Sequence, residues 1–227
     1  MDFLSVIIPA YNRESYVSQA IESALRQTRP PDEIVVIDDG STDRTAEIAR
    51  SFGKSVHCLS QSNQGIGAAR NAGLQAARGN LIAFLDSDDL WLERKMEIQT
   101  AFLHAHPEID LVTCHMKPFL SPEIDPTTVP AFDAKEMAAC NPSCLLARRE
   151  IFTRTGVFAT DRRGGEFVAW FGQAQEKGIQ YQIVPELLVR RRVHLTNTVH
   201  DRRRMNSDYA NILKRQLDRR REAPGGK

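Results

Sequence analysis

Four short runs of β-branched and aliphatic residues, each followed by a stretch with helical spacing, fill the first hundred residues and leave few folds open. Leu4-Ser5-Val6-Ile7-Ile8 stops at Pro9 and predicts a buried strand. Glu14 to Gln27 then place Tyr16, Val17, Ala20, Ile21, Ala24 and Leu25 at helical spacing, and Pro30-Pro31 close that helix. Glu33–Ile37 predicts the second strand. After the turn residues Asp38-Asp39-Gly40-Ser41, Ser41 or Thr42 is expected to cap a helix over about Asp43 to Ser51. Val56–Leu59 reads as a weaker strand, Gly67–Ala77 as an Ala-rich helix stopped by Arg78-Gly79-Asn80, and Leu81–Leu85 as the fourth strand. A helix from Leu90 to about His104 follows. This alternation predicts right-handed βαβ units, hence an α/β domain with a mostly parallel sheet and helices on both faces.

Beyond Pro107 the pattern loosens. Asp110–Met116 reads as a strand, and Pro118 to Pro130, with four prolines, as a loop or lid. Ser143–Ala147 is expected as a strand, Glu150–Thr155 and Glu166–Lys177 as helices, and Ile179–Val184 and Leu187–Val193 as two further strands. Asp208 to Arg221 places Tyr209, Ile212, Leu213 and Leu217 on one face of a last helix.

Composition excludes several classes. Thirty Lys and Arg against 29 Asp and Glu leave a net charge of +1, so no overall field draws the chain to nucleic acid. No apolar run reaches the ~20 residues of a spanning helix, and Asp2 with a run that ends at Pro9 argues against a secretory leader. Cys58, Cys114, Cys140 and Cys144 form no C-x-x-C pair, and each is expected as a buried thiol. A cytoplasmic protein is the expectation. From Asp201 onward, 9 Lys and Arg face 4 Asp and Glu. That excess fits peripheral contact with the inner, anionic face of a membrane, whereas the four-residue apolar face equally fits docking on the domain or a homodimer contact.

In an open parallel sheet, ligands bind outside the carboxyl ends of the strands. Three predicted strands deliver Pro9-Ala10-Tyr11-Asn12, Asp38-Asp39-Gly40-Ser41 and Asp86-Ser87-Asp88-Asp89 to that edge. Each cluster alone is an ordinary turn or cap. Together they bring two sets of mutually repelling carboxylates to one place. A divalent cation or several hydrogen-bond donors from a ligand relieve that repulsion; Mg²⁺ and Mn²⁺ suit carboxylate oxygens and are held by one or two carboxylates plus substrate phosphates. Gly65-Ile66-Gly67-Ala68-Ala69-Arg70 fails as a dinucleotide fingerprint, because Arg70 stands where a third glycine belongs and the stretch precedes the third helix. A P-loop sequence is absent.

Val-Ile-Ile-Pro-Ala-Tyr-Asn at 6–12, Ile-Asp-Asp-Gly-Ser-Thr-Asp at 37–43, Ala-Ala-Arg-Asn-Ala-Gly-Leu at 68–74 and Phe-Leu-Asp-Ser-Asp-Asp-Leu-Trp at 84–91 occur in this order. They resemble the family-2 glycosyltransferases with a GT-A fold, over about residues 4–105; Pro142–Phe158 resembles the family's middle region more loosely. The resemblance implies a single Rossmann-related domain with a nucleotide-sugar half at 1–105, an acceptor-binding and catalytic half at 106–200, and a basic helix and tail at 201–227. It implies inverting transfer from a nucleoside-diphosphate sugar, with UDP as the expected nucleotide and Mn²⁺ or Mg²⁺ as cofactor, to a saccharide or lipid-linked acceptor. Pro9, Ala10 and Tyr11 would line the nucleoside pocket, Asp39 would accept from the base with Asp38 beside it, and Arg70 and Ser87 would approach the nucleotide. Asp86 and Asp88 match the D-x-D pair, with Asp88 as the direct metal ligand, and His194 matches a histidine that reaches metal or diphosphate. Glu166 matches the family's acidic base, although Phe167 replaces the usual following Asp and Ala169 another acidic place. Two other readings stand beside this one: a nucleotidyltransferase, which releases pyrophosphate, and a degenerate member that binds nucleotide without transferring sugar.

Overall fold

The computed structural model describes residues 2–128, 132–161 and 164–194. Its strands are β1 (Leu4–Ala10), β2 (Glu33–Asp38), β3 (Val56–Ser60), β4 (Leu81–Phe84), β5 (Leu90–Trp91), β6 (Leu111–Leu120), β7 (Met137–Ala139), β8 (Leu146–Arg148) and β9 (Tyr181–Val193). Its helices are α1 (Val17–Leu25), α2 (Thr45–Ser51), α3 (Ile66–Ala76), α4 (Lys95–Ala105), α5 (Glu150–Thr155) and α6 (Glu166–Glu176). Among the described residues all strands join one sheet in the order β3-β2-β1-β4-β8-β6-β9-β5, with β7 added on β6. The first four are parallel. β8 then runs antiparallel to β4 and β6, so the second half of the chain extends the same sheet as a mixed one and a single domain results.

Period-two alternation explains why helices cover both faces. On one face Leu4, Val6, Ile8 and Ala10 of β1, with Leu81 and Ala83 of β4, pack against α1 and α4 through Val17, Ile21, Met96 and Leu103. On the other, Ile7, Ile82 and Phe84 meet α3, α5 and α6 through Leu74, Ile151, Phe152, Phe167 and Trp170. The approach of α3 to β1 requires glycine at 73, where a Cβ would collide with the Ile7 side chain.

Several expectations change at the boundaries. The helix expected from Leu90 begins at Lys95, because Leu90 and Trp91 pair with Arg190 and Val189 of β9. The two strands expected over 179–193 are one: register breaks opposite His115 absorb Pro185 without ending the strand. β6 continues through Pro118 to Leu120 instead of stopping at Met116. Pro118 pairs with β9 on one side, beyond the reach of β7 and β8, so its missing N–H costs no ladder bond there. Residues 142–144 form a 3₁₀ turn and β8 starts at Leu146. Asp43, not Ser41 or Thr42, serves the start of α2, accepting from the Thr45 amide at 2.9 Å. All four cysteines are free; Cys114 and Cys144 are buried and Cys58 is half-buried, but Cys140 is exposed. The helix expected at 208–221 lies outside the described residues, and among those described no helix is long and apolar enough to cross a membrane.

Behind the end of β4, Lys95 is fully buried. Its ammonium donates to Gln99 Oε1 at 2.7 Å and lies 4.3 Å from the Trp91 ring centre. Burial brings its pKa down to about 8. A lysine depressed in the folded state destabilises that state most where both states are protonated, below about pH 8. The penalty fades as pH rises toward the unfolded value of about 10.5. Lys95→Met should therefore stabilise the protein at pH 7, with the gain shrinking by about 2 kcal/mol at pH 10. Urea unfolding of both proteins at the two pH values measures it, and a pH-independent difference would contradict the buried charge.

Candidate active site

A cleft of about 890 Å³ opens at the carboxyl ends of β1, β2 and β4 and is also lined by the start of α6 and by residues 140–142. Of the residues expected from the sequence, Pro9, Ala10, Tyr11, Asp39, Arg70, Asp86, Ser87, Asp88 and Glu166 all line it; Asp38 and His194 do not.

Tyr11 is 45% exposed beside the cleft. The loop that carries it is laced to the loop after β2: Asn12 N donates to Ser41 Oγ (3.0 Å), Thr42 N to Asn12 Oδ1 (2.8 Å) and Arg13 N to Thr45 Oγ1 (2.7 Å). Asp38 ends β2 in register with Ala10, and its buried carboxylate accepts from the Ser41 amide. It shapes the turn. Asp39 is buried too, and accepts from Gln61 Nε2 (2.7 Å) and the amides of Gln64 (2.9 Å) and Gly65 (2.8 Å). It thereby pins the loop that leads into α3. A carboxylate has about four acceptor positions, so three bonds leave one for a ligand. Gly40 makes the close approach possible, since its φ is +78° and a Cβ there would lie 2.8 Å from Asn63 N.

The loop after β4 concentrates negative charge. Asp86 N donates to Ser143 Oγ (3.1 Å), which in turn donates to Asp89 Oδ2 (2.7 Å), while Asp89 Oδ1 accepts from Arg192 N (3.1 Å). Arg192 Nε holds the Asp88 carbonyl at 3.0 Å, with its guanidinium over Tyr16 and Phe119. Asp88 Oδ2 accepts from Arg13 Nε at 3.3 Å and lies 2.9 Å from His194 Nε2. Burial pushes Asp86 up, with Arg70 opposing and Asp88 adding to it. Burial and the two neighbouring carboxylates push Asp89 well up. Burial acts on Asp88 as well, but His194 and Arg13 outweigh it and hold that carboxyl below the usual range. Asp88 is therefore an anion on the cleft wall, and His194, fully buried behind it, supports that anion.

Arg70 is not a surface cation. Its side chain is 2% exposed, with one terminal nitrogen on Glu166 Oε1 and the other 2.7 Å from Asp86 Oδ1. Glu166 opens α6 directly after Gly165, whose φ of 72° places it in the left-handed region. The next residue, Phe167, is buried and packs on Phe158 and Trp170. Sequence reasoning passed over Arg13, Ser143, Asp89 as the inner member of its cluster, and the wall around Cys140. Arg13 alone had a signal, sitting at the end of the first strand-end loop.

Among the described residues no three His, Cys, Asp or Glu side chains are gathered to hold a metal by themselves. The donor set present, Asp86 and Asp88 on one cleft-lining loop, fits a hard divalent cation that completes its shell with phosphate and water.

The profile described as Glycosyl transferase family 2 matches residues 5–154. An uncharacterized glycosyltransferase of Rickettsia felis is 45% identical over 116 residues, covering 50% of this chain and 19% of that protein. The putative glycosyltransferase EpsH of Bacillus subtilis is 40% identical over 115 residues, covering 49% and 33%. The chain thus spans about a fifth to a third of the length of these relatives. Among solved structures, S. aureus TarS 1-349 in complex with UDP-GlcNAc superposes with a TM-score of 0.72 at 22% identity, covering 87% of this chain and 60% of that one. The mannosyltransferase PcManGT from Pyrobaculum calidifontis, in complex with GDP-Man and Mn²⁺, gives 0.71 at 21% identity, covering 100% and 66%. These structural likenesses carry the GT-A-like fold. With the profile spanning most of the chain, including both acidic strand ends, the protein belongs to glycosyl transferase family 2.

Proposed function

We propose that the chain transfers a sugar, with inversion, from a nucleoside-diphosphate sugar to an acceptor hydroxyl of a saccharide or lipid-linked substrate. The observation that carries this reading is the set of groups gathered in the cleft. Tyr11 and Asp39 follow β1 and β2, Asp86 and Asp88 follow β4, and Glu166 at the start of α6 lines the same cleft, joined to Asp86 through Arg70. Tyr11 offers a ring to a base and Asp39 one remaining acceptor to its N–H groups, with Pro9 and Ala10 lining the same cleft. Asp86 and Asp88 hold Mn²⁺ or Mg²⁺ in this reading, with Ser87 between them on the same loop. A bound cation supplies Lewis-acid stabilisation of the charge that develops on the leaving diphosphate. The acceptor oxygen attacks the anomeric carbon from the face opposite the diphosphate, its proton passes to Glu166, and the bond to the nucleoside diphosphate breaks. UDP is the proposed nucleotide, in keeping with the uridine nucleotides in TarS. The guanosine nucleotide in PcManGT makes the base a question for the donor panel below.

One observation favours the degenerate-binder reading: Glu166 Oε1 is already paired with Arg70, which takes up one of the two oxygens that could receive a proton.

Calorimetry with UDP and GDP, in Mn²⁺ and in excess chelator, tests the binding half. Affinity should fall at least tenfold in chelator, because bare phosphates meet repulsion at Asp86 and Asp88; equal affinity would remove the metal role. A panel of nucleotide sugars with saccharide and lipid-linked acceptors tests transfer, scored by the nucleoside diphosphate released; pyrophosphate in its place would favour nucleotidyl transfer. In the same assay Glu166→Gln should keep donor binding and lose about 10²–10⁴-fold in turnover. Unchanged turnover in that variant would exclude Glu166 as the base.

A further inference from the structure

We infer that Arg70 is a positioning residue, tying the acidic loop after β4 to the acid at the start of α6 and aiming Glu166, and that it does not serve as a nucleotide contact. The inference rests on the functional reading above, in which Glu166 takes the acceptor's proton.

Three observations carry it. The guanidinium is spent on two carboxylates that come from different elements, Asp86 from the loop after β4 and Glu166 from the start of α6, with Glu166 ninety-six residues away in sequence. A planar fork holds both in a fixed relation to each other, which a compact ammonium on a flexible stem does not. The support beneath Arg70 is rigid. Asn71, its neighbour on α3, makes two hydrogen bonds to the Phe158 backbone, 2.8 Å to its carbonyl and 2.9 Å from its amide. Gly67, one turn earlier, packs so closely on the Ala159 carbonyl that a Cβ there would clash. The guanidinium carbon itself lies 5.8 Å from the Phe158 ring centre. Arg70 therefore stands on a clamped helix and wall, not on a mobile arm that reaches for a ligand. Finally, Arg70 engages Glu166 through Oε1, and among the described residues no hydrogen bond engages Oε2. The oxygen left over is the one that can face an acceptor hydroxyl. Without Arg70, a 7%-exposed carboxylate would lose its counter-charge and its fixed rotamer together.

A competing assignment has its own atom. Arg70 Nε is buried with no hydrogen-bond partner, and a phosphate oxygen would use it if Arg70 bound nucleotide.

Arg70→Lys keeps the charge and removes the fork. It should be compared with the wild type, Glu166→Gln and the double variant, by calorimetry with UDP and Mn²⁺ and by kcat and KM for the donor. The expected result is UDP affinity and donor KM within about twofold of wild type, with kcat lower by roughly 10–100-fold, the scale of a small misplacement of a catalytic group. In the Glu166→Gln background the same change should cost less than about threefold. A tenfold loss of UDP affinity, or full additivity of the two substitutions, overturns the proposal and leaves the transferase reading intact. A wild type that binds no nucleotide and turns over no donor removes both. If Arg70→Lys does not fold, Arg70→Ala with added guanidinium replaces it. Recovery of turnover in a folded variant supports positioning, and absence of recovery overturns it.

Discussion

Carboxylates gathered at the end of a parallel sheet repel one another, and groups drawn from both halves of the chain answer that repulsion. Asp86, Asp88 and Asp89 follow β4 within five residues, and burial alone would push all three toward protonation. The compensation comes from distant elements: Arg13 from the loop after β1, Arg70 from α3, and Arg192 and His194 from β9 and the residue after it. These contacts explain why β9 is long. By pairing with β5 and continuing to Val193, it delivers Arg192 onto the loop as a backbone donor to Asp89 and a side-chain donor to Asp88. Removing one such partner from a buried carboxylate is costly, because the charge left behind has no water to turn to.

The two faces of the sheet divide the labour. The face covered by α1 and α4 holds the larger apolar cluster and includes the Lys95–Trp91–Gln99 group, whose Trp91 indole donates to the Ser143 carbonyl and whose Gln99 amide donates to the Cys144 carbonyl. The face covered by α3, α5 and α6 carries Arg70 and Glu166 at its edge. Its aromatic stack of Phe152, Phe158, Phe167 and Trp170 fixes α6 so that Glu166 meets Arg70. Phe167, which stands where an acid was expected, belongs to that stack. Its place next to Glu166 is a packing role.

How far the sequence could be read depended on whether a signal was local. The four strands and three helices of the parallel half were legible because each apolar run ends in turn residues, and the acidic clusters were legible because they follow those runs. Leu90-Trp91 was read as helix since both residues continue an apolar pattern into α4, and only their pairing with β9 makes them a strand. Pro185 suggested a break in β9 that a register shift absorbs. Pro9, Tyr11, Asp39, Asp86 and Asp88, expected from strand-end position and the family resemblance together, all fall on the lining of one cleft. Asp38, next to Asp39, turned out to shape a turn, because alternation along β2 sends neighbouring side chains to opposite sides. Arg70 was expected at the nucleotide, and nothing local could show that its partners are Asp86 and Glu166. Ser143, the hinge of the Asp86–Asp89 network, carries no motif.

The central claim is that the cleft at the ends of β1, β2 and β4 is built for a nucleoside diphosphate with a divalent cation. A crystal structure of the protein with UDP and Mn²⁺ tests it most directly. The account predicts the base at the Tyr11 and Asp39 end, with the diphosphate and cation at Asp86 and Asp88. A nucleotide bound outside this cleft, or a cation that touches neither aspartate, would contradict it.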